Sequence, residues 1–389
     1  MKSNACVAIV TLVFIMVRCL EISVHGEEIV LSIEREGSNV IVSFVGQLQS
    51  ASQAEGPYTN VLGTTSPFLW PVLAGAQQFW RSATAGGGTF SAGDSFTVAL
   101  KNDGSSASWG FNNAGQLGTP GPADWISVAC GFFHTLALTA NGTLWAWGGN
   151  FCGQLGIGNN DSEPHHQPAQ VGLDADWASV ACSYSHTMAL KANGTLWAWG
   201  DNRYGQLGIG AIDHTNQPAR VGIDTDWQAV AFGGYPDEIW LCGPGHTVGL
   251  KTDGSMWAWG SNWAGQLGIG SNDSTNQPTR VGMDAEWQAV ACGSEHTVAL
   301  KANGTLLAWG HNRDGQLGIG TFEDSNQPVQ VGSDTNWIRV ACGTSHTIAL
   351  KANGILWAWG NNRYGQLGGG TFAKTNQPVQ IGSDTDWAR

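Results

Sequence analysis

One tetrapeptide constrains this chain more than any other feature. Gly-Gln-Leu-Gly begins at Gly115, Gly153, Gly205, Gly265, Gly315 and Gly365, at steps of 38, 52, 60, 50 and 50 residues. A second marker, His-Thr-x-(Ala/Gly)-Leu, begins at His134, His186, His246, His296 and His346, and Phe96 takes the histidine's place in an earlier copy. A third is a tryptophan at 125, 177, 227, 287, 337 and 387. Self-similarity near 50 residues predicts a propeller or a solenoid, in which each unit buries its apolar face on its neighbours. Every unit also carries Asn-Gly or Asp-Gly between two apolar runs, as in Leu136–Leu138, Asn141-Gly142, Leu144–Trp147. A two-residue hairpin needs positive φ at both central positions, and these dipeptides supply it. The Gln-Pro pairs ending at Pro168, Pro218, Pro278, Pro328 and Pro378 predict short outer strands, where a missing N–H is tolerated. Helical periodicity is absent. The fold class is therefore all-β.

Composition agrees. Of 389 residues, 55 are glycine and 20 tryptophan, and only 12% are charged. That excludes a coiled coil or a charged disordered tail. The formal net charge of −13 lacks the cationic footprint that phosphate backbones and anionic membrane surfaces require, so neither nucleic acid nor a membrane is an expected partner.

The repeat also predicts how the ends meet. The chain stops in mid-unit at Trp387-Ala388-Arg389, and Phe90-Ser91-Ala92-Gly93 at the other end is expected to supply the missing strand. An open solenoid needs polar caps. A unit split between both termini instead implies a closed ring, with residues 90–93 completing the last blade. The count is six units of about 50 residues; a seventh blade would require a further unit.

The strings Trp-Gly-x-Asn-x-x-Gly-Gln-Leu-Gly and Val-Ala-Cys-Gly-x-x-His-Thr-x-Ala-Leu resemble the repeat of the regulator of chromosome condensation family, over residues 90–389. The resemblance implies a β-propeller. It implies function less sharply, because the same propeller serves nucleotide exchange, light sensing and enzyme inhibition in different members. Six units depart from the seven usual in that family. The resemblance, with the leader described next, suggests a secreted bacterial member.

Residues 1–26 read as an export signal: Lys2, then the apolar run Val7–Val17, then small residues near Gly26. Eleven residues are too few to span a bilayer. Residues 27–89 form a small β-rich module ending in a glycine-rich linker, similar to modules beside repeats in secreted bacterial proteins. Cys130, Cys182, Cys292 and Cys342 share one repeated context and read as small buried apolar residues. Cys152 and Cys242 stand outside that context and read as unpaired.

No nucleophile elbow, phosphate loop or zinc spacing appears. No catalytic residue, metal or cofactor is therefore assigned. The repeated histidines recur with the framework and read as hydrogen-bonding core residues. The asparagines at 112, 150, 202, 262, 312 and 362 read as turn formers. The light-sensing branch of the family carries tryptophan just before His-Thr, and here none stands there.

Binding residues should break the repeat. Those before Gly-Gln-Leu-Gly include Arg203, Tyr204, Trp263, Arg313, Arg363 and Tyr364, and those before His-Thr include Phe132, Phe133 and Tyr184. Aromatics and arginine are the types enriched at interface centres. One unit is longer by ten residues, 60 against 50, and its insertion offers Tyr235, Asp237, Ile239 and Trp240. The expectation is a monomeric, secreted or periplasmic scaffold that binds a protein or glycan through one face of the disc and this loop. The alternatives are an enzyme acting on envelope carbohydrate, or an exchange-factor-like activity implied by the resemblance.

Overall fold

A computed structural model describes residues 90–389 in full apart from 102, 120–123, 236–242, 386, 388 and 389; before residue 90 it describes strand backbones only. The chain divides into two compact units, Met1–Leu73 and Ala74–Arg389.

The first unit holds a four-stranded antiparallel sheet of Leu20–Val24, Glu27–Glu36, Asn39–Phe44 and Phe68–Pro71, and a two-stranded pair, Gln49–Ala51 with Tyr58–Asn60. Its first strand falls inside the segment read as an export signal.

The second unit is built of six antiparallel sheets, five of four strands and one of three. Each four-stranded blade runs in simple order from an inner strand to an outer one. In the first of them these are Trp125–Cys130, His134–Thr139, Leu144–Asn150 and Asp161–Gln170. Both faces of the second strand are covered: all six residues of His134–Thr139 are buried. That is why their central residues, such as Leu136, Ala137 and Leu138, are apolar in succession instead of alternating. The proline-bearing strands are the outer edges, as the Gln-Pro pairs predict.

The six blades surround one axial cavity of about 300 Å³, to which each contributes, among others Gly93, Gly131, Ser183, Gly233, Gly293 and Gly343. The propeller and its six units are as expected. The closing strand is not. Phe90–Ala92 pairs with Phe96–Leu100, Phe90 opposite Ala99, as the inner strand of the first blade. All four strands of the last blade lie within Trp337–Gln380. The reason is local: a short turn, with Gly93 N–H donating to Phe96 O at 2.9 Å, folds residues 90–92 straight back on their neighbour. Five interfaces between successive blades carry a shared apolar core; that of the second and third joins Leu136, Leu144 and Leu155 to Trp177 and Val180. Among the described residues, the last blade's Ala358, Leu367 and Ile381 cluster only with their own blade's Ile348 and Leu356.

The tetrapeptide is an interblade latch. The carbonyl of Gln116 accepts from Thr135 Oγ1 at 2.8 Å and Trp147 Nε1 at 3.0 Å, both on the next blade. Gln154, Gln206, Gln266 and Gln316 repeat the arrangement. The histidines make a second link: Nε2 of His134, His246 and His296 lies 3.1 Å from the hydroxyl of Thr187, Thr297 and Thr347 of the following blade. The partner is a threonine hydroxyl, so this is framework, as the recurrence implies. The asparagines staple the loops: Asn262 Nδ2 donates to Ser271 O and Asp273 O, and its Oδ1 accepts from Leu267 N–H.

Candidate binding face

Strand direction sorts the loops onto two faces. In every four-stranded blade, the turn between first and second strands and the loop between third and fourth emerge at the same end. The residues before His-Thr sit in the first kind of loop and those before Gly-Gln-Leu-Gly in the second. All the candidate binding residues that are described therefore share one face of the disc. Asp237, Ile239 and Trp240 lie outside the described residues; the insertion that carries them leaves from this face.

Several candidates meet. Phe133 packs on Phe132 edge-on, with ring centroids 4.3 Å apart, and Phe132 lies 5.0 Å from Tyr184 of the next blade. Phe111 of the preceding blade extends the row at 6.3 Å from Phe133. Tyr235, where the insertion begins, stacks on Trp263 at 6.2 Å and 16°. Trp263 keeps 56% of its surface exposed. Arg363 lies over the ring of Tyr364, 5.7 Å from its centroid, and Tyr364 is 80% exposed. Arg313 is not drawn into either aromatic group; its carbonyl accepts from Lys374 Nζ.

Arg203 behaves differently from its sequence reading. Its guanidinium is held by Asp201, whose side chain is fully buried, with Nε 3.3 Å from Oδ1. His214 Nδ1 lies 3.2 Å from the same oxygen. Burial works against the Asp201 charge, but His214 and Arg203 outweigh it and hold the carboxyl below its ordinary value. Arg203 is thus partly committed to the fold, and Tyr204 beside it is the freer contact group. Sequence reasoning passed over Asp201, although it stands where the other blades have Phe111, Gly149, Ser261, His311 and Asn361. The same departure from the repeat marks it.

The core groups have no catalytic poise. Burial pushes the Cys130 and Cys292 thiols up to about 12 and the Cys182 and Cys342 thiols well above their usual value. It holds His134, His246 and His296 down to about 3, and His186 and His346 to about 4. Cys152 is disulfide-bonded rather than unpaired, its partner lying outside the described residues.

Comparison with known proteins decides the family. The model of the RCC1-like domain matches residues 89–388. The chain belongs to the RCC1-like domain family. Among curated relatives, the ultraviolet-B receptor UVR8 of Arabidopsis thaliana is 32% identical over 208 residues, 48% of this chain and 44% of that protein. Protein RCC2 homolog of Xenopus laevis is 28% identical over 129 residues, 32% of this chain and 23% of that protein. The chain thus spans less than half the length of either. Among solved structures, human WBSCR16 aligns with a TM-score of 0.64 at 24% identity, covering 78% of this chain and 84% of that one. Prp20p of Saccharomyces cerevisiae, described with its binding properties to Gsp1p and histones, aligns with 0.64 at 23%, covering 77% of each. At these identities the structures support the fold. In this RCC1-like chain the repeated tryptophans are spent on packing and latching: Trp199 is fully buried with its indole N–H on Gln154 O.

Proposed function

We propose that this propeller is a non-catalytic scaffold that docks a protein partner on the face carrying the turns before His-Thr and the loops before Gly-Gln-Leu-Gly. One observation carries the reading: the residues that break the repeat converge there, touching across blades in the row Phe111–Phe133–Phe132–Tyr184 and within one blade in the stack Tyr235–Trp263. Contiguous exposed aromatic surface on a folded protein marks contact sites. That a relative of the same fold, Prp20p, is described as binding Gsp1p and histones supports a protein in preference to a glycan.

The partner meets the scaffold outside the cytosol. The apolar run at residues 7–17 motivates export, and a disulfide at Cys152 suits an oxidising compartment. Fractionation of cells expressing the full chain tests this: retention in the cytosol, with Cys152 reduced, sinks it.

For the docking face, a photo-crosslinking amino acid is placed at Trp263, at Tyr364 or, on the other face, at Lys301. The first two positions should capture one common protein from extracts of the source organism, and the third should not. Trp263→Ala should abolish capture from position 364 with melting unchanged. Equal capture from position 301 overturns the assignment.

A further inference from the structure

The axial cavity of about 300 Å³ opens on the proposed docking face, because its wall is made of the turns between first and second strands. The N–H groups of Gly93, Gly131, Ser183, Gly293 and Gly343 are already spent. They donate to the carbonyls of Phe96, His134, His186, His296 and His346 within those turns, at 2.7 to 2.9 Å. Carbonyl oxygens remain on the wall: those of Gly131, Ser183, Gly293 and Gly343 each lie where a side chain on the preceding blade's glycine would stand. A wall rich in acceptors, with its backbone donors engaged, favours a cation over an anion.

The side chains of the lining agree. Asp94, exposed on the first blade, is its one ionised group. Asp94 Oδ2 accepts from Ser95 Oγ at 2.7 Å, and among the described residues no lysine, arginine or histidine pairs with it. His346, on the last blade, adds a neutral acceptor. In the second, fourth and fifth blades the equivalent Nε2 meets a threonine of the following blade. The His346 ring makes no hydrogen bond among the described residues, and burial holds it down to about 4, so it is uncharged at neutral pH. Ser294 and Thr344 bring hydroxyls, their turns tied together by Ser294 N–H on Thr344 O at 3.1 Å. The second and third blades contribute flat rings instead: Phe132 and Tyr184 stand 5.0 Å apart, inclined by 30°. Burial, and then the charge of Asp94, push the Tyr184 phenol up, so the carboxylate acts across the mouth of the cavity.

We propose that the axial mouth receives a guanidinium group, the side chain of an arginine on the docked protein. The source of the group rests on the docking reading; its chemistry rests on the cavity alone. A guanidinium is planar and carries five N–H donors in a fixed fork. It meets Asp94, the His346 imidazole and a hydroxyl together while its flat face rests on Phe132 or Tyr184. An ammonium gathers three donors at one point and matches acceptors spread over several blades less well. The formal charge of −13 draws a cation toward the disc.

The test uses the full chain with Nα-acetyl-argininamide as probe, read by ligand-observed saturation-transfer NMR. Nα-acetyl-citrullinamide serves as the neutral isostere and Nα-acetyl-lysinamide as the ammonium. The expected result is saturable binding of the arginine probe, about tenfold tighter than either analogue. Asp94→Asn should weaken it by about tenfold with melting unchanged. Glu163→Gln, which removes an exposed charge from an outer strand, should leave it as it is. Non-saturable transfer, equal binding of either analogue, or unaltered affinity in Asp94→Asn overturns the axial site, and crosslinked capture at positions 263 and 364 reports separately on the docking reading. Excess argininamide should also suppress that capture; capture that the bound probe leaves intact overturns the docked arginine as the source of the group.

Discussion

Acid should dismantle this ring over a pH range in which most globular proteins are comfortable. His134, His246 and His296 lie within the blade stack, and burial holds them down to about 3. Their Nδ1 atoms have no hydrogen-bond partner, so a proton added there gains no acceptor. In the unfolded chain each titrates near 6.5. The folded value is the depressed one, so the unfolded state binds more protons below about 6.5. The stability these groups permit is complete above that pH and is lost progressively as pH falls toward 3. At pH 5 the difference is about 2 kcal/mol for each histidine, or about 6 kcal/mol for the three. That approaches or exceeds the whole stability of many domains. Asp201 is also held below its ordinary value, but its contribution fades only under about pH 4, outside this window. Urea titrations followed by tryptophan fluorescence at pH 7.5 and pH 5 should show most of the unfolding free energy gone at the lower pH. His296→Gln should remove about one proton from the pH slope. An unchanged urea midpoint between the two pH values would refute the argument, because it would mean that these imidazoles reach solvent or carry a proton when folded.

Two further outcomes follow from the same packing. Gly293→Ala should lower the unfolding free energy by about 2 kcal/mol, since a Cβ there meets the His296 ring and comes 2.6 Å from Gly343 O on the next blade; Gly282→Ala, with φ +62° and open space around it, should lose only about 1 kcal/mol, and equal losses in urea titrations contradict the close-approach argument. Cys130, Cys182, Cys292 and Cys342 should resist iodoacetamide at pH 8 in the folded protein and react fully in urea, and labelling of any of the four in the native state, read by mass spectrometry, would show that blade contacts open more readily than the structure indicates.

Most of the fold was legible because a repeated chain reports its buried positions several times over. The hairpin dipeptides, the apolar second strands and the edge prolines each state one local physical requirement, and the structure meets all of them. The placement of Phe90–Ala92 was not legible, because a periodic sequence has no intrinsic phase. Whether a strand belongs to the unit before or after it depends on hydrogen bonds, here on the turn that returns it to Phe96–Leu100. The binding face was legible in its residues but not in its contacts. Tyr235 and Trp263 are 28 positions apart in sequence, and only the meander of one blade brings their rings together. Arg203 looked free because its neutralising partner, Asp201, is visible as such only once its burial is known. The seating of the Lys191 ammonium between the rings of Trp177 and Trp197 was illegible for a similar reason. Trp177, Lys191 and Trp197 come from three strands, and nothing local in the sequence marks them as one group.

Exposure by itself does not select the docking face, and the opposite face shows why. Leu173, Ile223 and Met283 are 93%, 86% and 83% exposed, more than any aromatic residue of the proposed site. They occupy one repeat position on three successive blades, each after a glycine of positive φ at 172, 222 and 282. Each is a single aliphatic side chain at a turn tip, and scattered exposed apolar residues are ordinary on protein surfaces. The aromatic rings of the other face touch across blade boundaries, which makes continuous surface of what the sequence distributes over several units. They are also free of framework duty. The repeated glutamine carbonyls, threonines, histidines and asparagines are spent on latching blades and stapling loops. Substitution at Phe132, Tyr184 or Trp263 therefore changes what the disc presents while leaving those latches in place, and a scaffold that must acquire a partner without losing its ring varies at such positions.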